Sequence, residues 1–488
     1  MKRTKTALAI GGAVVAAAIS TQTLASATAD RDAALRAAEA WMTKQMHVGL
    51  VPGATAAIVH DQDLIWSTAY GFADREAGTP MTAETDFSVC SISKLFTSIG
   101  VMTLVEDGRV DLDDPLTKFL PNWAFTEAAR GGSDQVTIRD MLSHAAGFPR
   151  EPMTTGWANS DFPTTAEVLA QAGEVAPLYE PADTWQYSNL AMSLLGQVIE
   201  AASGTDYDSY IRSEVLAPLN LRGISTDLPL ESTPGRPFSR GYFMYDEQAV
   251  RPVVEPYTLN GYAPAAGFAA SVIDLAEFAS WQFRVLETGE TEVLSRPALR
   301  NMHRVHWYDP ADENGNVWGF GFSHMKINDQ PFIGHGGYCP GYRAQFAMNP
   351  ATKTAFAAMV NVNDASPYDL VAGIEGIVGP VLAAEPSSDE SAADDANEPV
   401  LSDFEGRFGQ TNFPYEMYVA PRGDDLLVYN LYSREPARNA TTLKHQGGDR
   451  FRALNGKGNL GAEATFNRDE SGRVVSLHWE GETIARMD

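Results

Sequence analysis

The chain has 488 residues, 44% hydrophobic and 20% charged, the balance of a globular protein with room for one large domain and a smaller one. Asp and Glu number 63 against 36 Lys and Arg, a formal charge of −27. So acidic a chain repels phosphate backbones and anionic membrane surfaces, which argues against a nucleic-acid partner and leaves the fold open.

The first residues read as an export signal. Lys2, Arg3 and Lys5 precede the apolar run ALAIGGAVVAAAIS, and Ala25-Ser26-Ala27 supplies the small residues of a cleavage site, so residues 1–27 are expected to be a signal peptide. The run falls short of the roughly 18 residues that span a bilayer. Stable membrane insertion after cleavage is therefore not expected, and the expected location is periplasmic or secreted, where disulfides persist.

RDAALRAAEAWMTKQM then has helical periodicity, and GATAAIVHDQDLIWSTAYG reads as two strands around an Asp-containing turn. Helical and loop segments dominate from about Ser91 to Thr226. Strand patterns return at FIGHGGY, YRAQFAMNP and KTAFAAMVNV, the last two joined by a turn at Asn349 and Pro350. Strands at both ends with helices between predict one sheet assembled from distant parts of the chain. Residues 384–399 (AEPSSDESAADDANEP) are acidic and lack apolar anchors, as a linker does. Residues 400–488 contain short alternating segments such as DLLVYNLYS and RVVSLHWEG, the pattern of a small all-β unit, sandwich or barrel.

The chemistry centres on DFSVCSISKLFTS. Ser91 and Lys94 lie three residues apart, on one helical face. A serine hydroxyl needs a neighbouring base, and a lysine is a cation at neutral pH unless burial or a nearby positive charge lowers its pKa. Ile92, Leu95, Phe96, Ile99, Val101, Met102, Leu104 and Val105 predict a buried helix, ended by Asp107-Gly108, with Ser91 at its N-terminus, where the dipole favours developing negative charge. A second Ser-x-x-Lys, Ser323 to Lys326, shows how little the spacing means alone. Ser91 has companions: Tyr187-x-Asn189 opening a helix, and His335-Gly336-Gly337 entering a strand. Outside such a set Tyr187 would read as a core tyrosine and Asn189 as a helix N-cap.

With these motifs in place, the chain from about Asp30 to Leu382 resembles the penicillin-recognising serine hydrolases, the superfamily of class C β-lactamases, D-alanyl-D-alanine carboxypeptidases, D-aminopeptidases and related esterases. RDMLSHAAGFP, YSNLAMSLLGQVIEAASG, LAPLNLRGIST, AAGFAASVIDLAEFA and GHGGYCPGYRAQFAMNP carry the likeness further. It implies an α/β (α+β) fold of the β-lactamase/transpeptidase type over residues 28–383, an antiparallel sheet flanked by helices with a helical subdomain. The C-terminal unit resembles the lipocalin-like barrels appended to some relatives. The resemblance implies that Ser91 is acylated and that Lys94 and Tyr187 move the proton, either taking it first. By the same resemblance Asn189 hydrogen-bonds a substrate amide, and the N–H groups of Ser91 and Tyr338 form the oxyanion hole.

Class C β-lactamases carry a lysine where this chain has His335, which is mostly neutral above pH 6.5. This favours peptides, amides or esters as substrates, with Gly336 and Gly337 admitting an extended substrate against the strand. A β-lactamase and a non-hydrolysing penicillin-binding or sensing protein are the alternatives. Cys90 precedes Ser91 and Cys339 follows the third motif by two residues. Certain class A carbapenem-hydrolysing β-lactamases look similar, joining the same two places by a disulfide, so a Cys90–Cys339 bridge is expected. The alternative is two buried thiols.

His144 belongs to a loop typical of the family near the site, with an expected structural hydrogen bond. GKGNLG, Gly456 to Gly461, reads as a loop, and no Gly-x-Ser-x-Gly or His-Glu-x-x-His occurs. No metal and no cofactor are expected.

Overall fold

The structure is a computed structural model that describes residues 8–121, 135–152, 156–175, 177–229, 236–312, 315–384, 400–410 and 415–488, with side chains from Thr28 onward. The chain divides into two compact units, residues 49–371 and residues 1–48 with 372–488.

Residues 49–371 contain β1 (Gly53–His60), β2 (Asp63–Asp74), β3 (Thr79–Pro80), β4 (Phe87–Ser88), β5 (Ala269–Ala270), β6 (Trp307–Tyr308), β7 (Val317–Trp318), β8 (Ser323–Ile327), β9 (Gln330–Cys339), β10 (Tyr342–Asn349) and β11 (Thr354–Val360). Nine of them form one antiparallel sheet in the order β3-β2-β1-β11-β10-β9-β8-β7-β6, and β4 pairs with β5. The sheet is closed at its middle by β1 against β11, with Ala57 opposite Ala357 and Thr55 opposite Met359, so strands from both ends of the unit meet as predicted. Both strands are buried along nearly their whole length and are rich in alanine, because both faces of the sheet are covered. The helix Val272–Thr288 packs across β1, β2 and β11.

The serine helix, Ser93–Glu106, is buried from Ser93 to Leu104 and so has almost no polar face. Phe96 stacks on Phe268 and meets Phe278, at ring distances of 5.2 and 4.6 Å. Asp107 caps the helix and Gly108 follows in the left-handed region (φ +69°), as the sequence indicates. The helix Asn189–Ser203 packs beside it, within the expected helical subdomain.

In the other unit, β12 (Gly406–Gln410), β13 (Tyr415–Arg422), β14 (Asp425–Asn430), β15 (Thr441–His445), β16 (Arg450–Leu454), β17 (Leu460–Arg468), β18 (Val474–Trp479) and β19 (Glu482–Arg486) close into a barrel in sequential order. Its interior is filled by side chains including Phe408, Met417, Leu426, Phe451, Phe466 and Leu477, as an eight-stranded barrel allows. In GKGNLG, residues 456–459 form the turn from β16 into β17, and Leu460 and Gly461, read as loop, open β17 because Leu460 pairs with Leu454 of β16.

The N-terminal helix, Leu8–Val48, belongs to this same unit. Ala33, Ala34, Ala37, Ala38, Trp41, Met42 and Met46 form its buried stripe. Trp41 Nε1 donates to Ser433 O at 2.8 Å, and Arg36 and Lys44 pair with Glu405 and Glu416, each at 2.5 Å. The Trp41 ring fits against Gly373, where an added Cβ would lie 2.0 Å from it. The compact division thus falls after Val48 and Val371, while all of the expected linker except Ala384 lies outside the described residues. Among the described residues no helix is long and apolar enough to cross a membrane.

Candidate active site

Cys90–Ile92 forms a 3-10 turn that runs straight into the helix Ser93–Glu106. Ser91 therefore sits in a tighter turn just ahead of the helix, two residues before its first turn. Cys90 takes a positive φ of +51°, an uncommon state for a non-glycine residue. Ser93 staples the turn: its hydroxyl donates to Cys90 O at 2.5 Å and accepts from the Phe268 N–H at 2.9 Å.

Lys94 Nζ lies 3.1 Å from Ser91 Oγ and donates to Ala265 O at 2.7 Å. The side chain is fully buried. Burial pushes its pKa well down, Glu151 opposes this and Arg150 adds to it. Tyr187 hydrogen-bonds Ser91, and burial raises the phenol pKa above its usual value. Lys94 Nζ is 4.9 Å from the Tyr187 ring centre. Burial thus favours the uncharged form of both groups, the Lys94 amine and the Tyr187 phenol, beside one hydroxyl.

The other Ser-x-x-Lys cannot do this. It lies in β8, where residues three apart face opposite ways, and Ser323 Oγ donates to Gly334 O at 2.9 Å while Lys326 is exposed.

The third motif occupies the part of β9 beyond its pairing with β8, which ends at Gly334 opposite Ser323. Gly337 lies against the serine turn, where an added Cβ would be 2.2 Å from Val89 O, so only glycine allows the approach. The turn and the strand are also joined covalently: Cys90 and Cys339 form a disulfide with Cα atoms 5.8 Å apart. His335 is buried, and its Nδ1–H donates to Gly336 O at 2.6 Å, which leaves Nε2 as the unprotonated nitrogen. Burial, helped by Lys94, brings its pKa down to about 3, so the ring is neutral.

Ser91, Tyr187, His335, Gly336, Gly337 and Tyr338 line one cavity of about 330 Å³. Tyr338 is 59% exposed at its rim. Arg150, Trp318, Arg343 and Tyr368 also line it, and sequence reasoning assigned none of them a role. Arg343 stands directly opposite Tyr338 in the β9–β10 ladder, a pairing that the turn between the two strands could have revealed.

Asn189 is not among the lining residues. It is 1% exposed, and its Nδ2 donates to Glu151 Oε1 at 2.5 Å. The cap of its helix is Ser188, whose hydroxyl accepts from the Ala191 N–H at 3.0 Å, so the N-cap reading of Asn189 is corrected. His144 has the structural bond expected of it: Nδ1 accepts from the Ser188 N–H at 3.3 Å, and the ring lies 4.5 Å from Tyr187. No cluster of three metal-ligating side chains occurs among the described residues.

Comparison with known proteins agrees with this geometry. The chain is 23% identical over 320 residues to Protein flp of Staphylococcus aureus strain N315, covering 64% of this chain and 60% of that protein. It is 29% identical over 314 residues to Esterase EstB of Burkholderia gladioli, covering 58% of this chain and 77% of the esterase. Among solved structures, the octameric penicillin-binding protein homologue from Pyrococcus abyssi superposes with a TM-score of 0.62 at 23% identity, over 92% of this chain and 99% of that one. The D-amino acid amidase of Ochrobactrum anthropi SV3 complexed with D-phenylalanine gives 0.58 at 25% identity, over 71% and 98%. The beta-lactamase family model matches residues 38–376, well over half of the sequence, and the chain accordingly belongs to the beta-lactamase family.

Proposed function

We propose that the protein is an exported serine hydrolase that cleaves amide or ester bonds through an acyl-enzyme at Ser91. The observation that carries this reading is the Lys94 amine, fully buried so that its charged form is disfavoured, 3.1 Å from Ser91 Oγ. As Oγ attacks the substrate carbonyl carbon, Lys94 takes the hydroxyl proton, and the oxyanion forms against the N–H groups of Ser91 and Tyr338. The Tyr187 hydroxyl gives its proton to the departing nitrogen or oxygen and regains one from Lys94, whose Nζ lies 4.9 Å from the Tyr187 ring centre. Water then attacks the ester and gives up a proton to the same pair, and Ser91 is restored.

Amides and esters are favoured because His335 is neutral and supplies no fixed cation at the third motif. The similar D-amino acid amidase and esterase point the same way. Arg150 and Arg343 line the cavity and favour a second reading, hydrolysis of β-lactams, whose carboxylate a fixed cation attracts. Export rests on the basic, apolar and small-residue pattern of residues 1–27, and the assignment of 28–383 as the hydrolase domain rests on the motifs. A panel of D-amino-acid amides, p-nitrophenyl esters and a chromogenic cephalosporin, run on wild type beside Ser91→Ala, tests the reading. Turnover of amides or esters that Ser91→Ala lacks supports it, and equal turnover by the two proteins overturns it.

A further inference from the structure

A second cavity lies in the same unit, and no motif residue lines it. Its volume is about 520 Å³, larger than the cavity beside Ser91 and within the roughly 300–1,000 Å³ range of small-molecule sites. Three segments meet there: the end of the helix Val272–Thr288, the end of the helix Arg296–His303, and the turn from β10 into β11. Phe283 and Leu286 from the first and Pro350 from the last give it an apolar wall.

The charges around this wall are not balanced. Lys353 is engaged: it pairs with Asp61 at 3.0 Å and with Glu287 at 2.8 Å, and Gln62 Nε2 donates to the other oxygen of Glu287 at 3.2 Å. His303 is held neutral. The buried Gln282 donates through Nε2 to Phe278 O at 3.3 Å, so its Oε1 accepts from the His303 Nε2–H at 2.8 Å. Burial pushes the imidazole down to about 3. Arg300 and Arg304 remain as fixed cations. Both are exposed and both line the cavity. Acids outnumber bases by 63 to 36 in this chain, yet no described carboxylate pairs with either arginine. Like charges four residues apart at a helix end repel. The helix dipole accounts for basic residues in the last turn, but not for their facing an apolar wall built by two other segments. An anion between the two guanidinium groups offsets their repulsion and accepts charge-assisted N–H bonds from each.

We propose that this cavity is a second ligand site, which takes an organic carboxylate with its apolar body on Phe283, Leu286 and Pro350 and its charged end between Arg300 and Arg304. A neutral analogue keeps only the apolar contact, a cationic one is repelled, and a bare inorganic anion leaves the wall uncovered. The inference goes beyond the Ser91 reading and involves none of the residues of that site, so either stands if the other fails.

Three probes of one shape test it, 4-phenylbutyrate, 4-phenylbutan-1-ol and 4-phenylbutylamine, with inorganic sulfate as a fourth. Each is titrated calorimetrically into the full chain. Wild type should bind the carboxylate roughly tenfold or more tightly than the alcohol, the scale of a hydrogen bond to a charged group. The amine and sulfate should bind more weakly than the carboxylate. The double variant Arg300→Gln, Arg304→Gln changes two exposed side chains and should bring the Kd values of acid and alcohol together. Arg343→Gln, at the cavity beside Ser91, should leave the preference intact. Equal affinity for acid and alcohol in wild type overturns the inference, as does a preference that survives the double variant or disappears in Arg343→Gln. Sulfate bound as tightly as 4-phenylbutyrate marks an adventitious ion only and overturns it too. If the double variant does not fold, hydrogen exchange on wild type decides. Protection by 4-phenylbutyrate over residues 283–304 and 350–353 supports the site, and protection confined to other segments, or none, overturns it.

Discussion

Lys94 illustrates how one residue can be unfavourable for folding and central to the proposed chemistry. In the unfolded chain its amine holds a proton at every pH below about 10.4. In the folded chain burial disfavours that proton. The unfolded state therefore binds more protons, and stability is lost as pH falls below the unfolded value toward the depressed folded one. Lys94→Met should raise the unfolding temperature at pH 7 and lower kcat/KM by roughly 10²- to 10⁴-fold, the scale of general base catalysis. His335 is depressed in the same sense, to about 3. Its neutral form is favoured in the folded chain, so stability should fall as pH drops from about 6.5 toward 3. The kcat/KM profile should rise with pH as Lys94 loses its proton, and should show no step near 6.5 that disappears in His335→Gln. At this scale Ser91, Lys94, Tyr187 and His335 were legible because their spacing recurs as motifs. Glu151 was not, because a carboxylate that orients an amide leaves no pattern along the chain.

At the scale of elements, the site is a meeting of one turn and one strand. Gly337 and the Cys90–Cys339 bridge hold β9 against the serine turn. Gly337→Ala forces a Cβ into Val89 O and should reduce kcat far more than it reduces the unfolding temperature, because it pushes β9, with the Tyr338 N–H proposed as an oxyanion donor, off the serine turn. Reducing the disulfide should lower the denaturation midpoint. Its sequence separation of 249 corresponds to about 5.5 kcal/mol in the chain-entropy model. β1, β2, β9, β10 and β11 could be read from the sequence as apolar runs broken by turn residues. The two-residue strands β6 and β7 could not, since Trp307-Tyr308 and Val317-Trp318 owe their conformation to pairing with each other. The cap at Ser188 was missed for a related reason: in YSNL two adjacent residues are both good caps, and only packing decides between them.

For the whole molecule, the N-terminal helix shows what periodicity leaves out. The stripe from Ala33 to Met46 predicts a helix with one buried face but does not say against which unit it is buried. The structure places it with the barrel, where Trp41 reaches Ser433 and Gly373. Trp41→Ala should destabilise that unit by about 3–5 kcal/mol. Hydrogen exchange read by mass spectrometry should then show lost protection in β12 to β19, and unchanged protection there would contradict the placement. The barrel was legible as a count of short alternating strands, but its closure was not, because β12 and β19 lie at opposite ends of the unit and pair over a short stretch, Phe408 opposite Arg486 and Gly409 opposite Ala485.

The most direct measurement is the rate at which a p-nitrophenyl ester leaves a covalent acyl group on the protein, followed by mass spectrometry of quenched samples of wild type, Ser91→Ala and Lys94→Met. The account predicts an adduct mapped to Ser91 in wild type, none in Ser91→Ala, and formation slowed at least about a hundredfold in Lys94→Met. An adduct on another residue, or acylation of Lys94→Met at the wild-type rate, would contradict it.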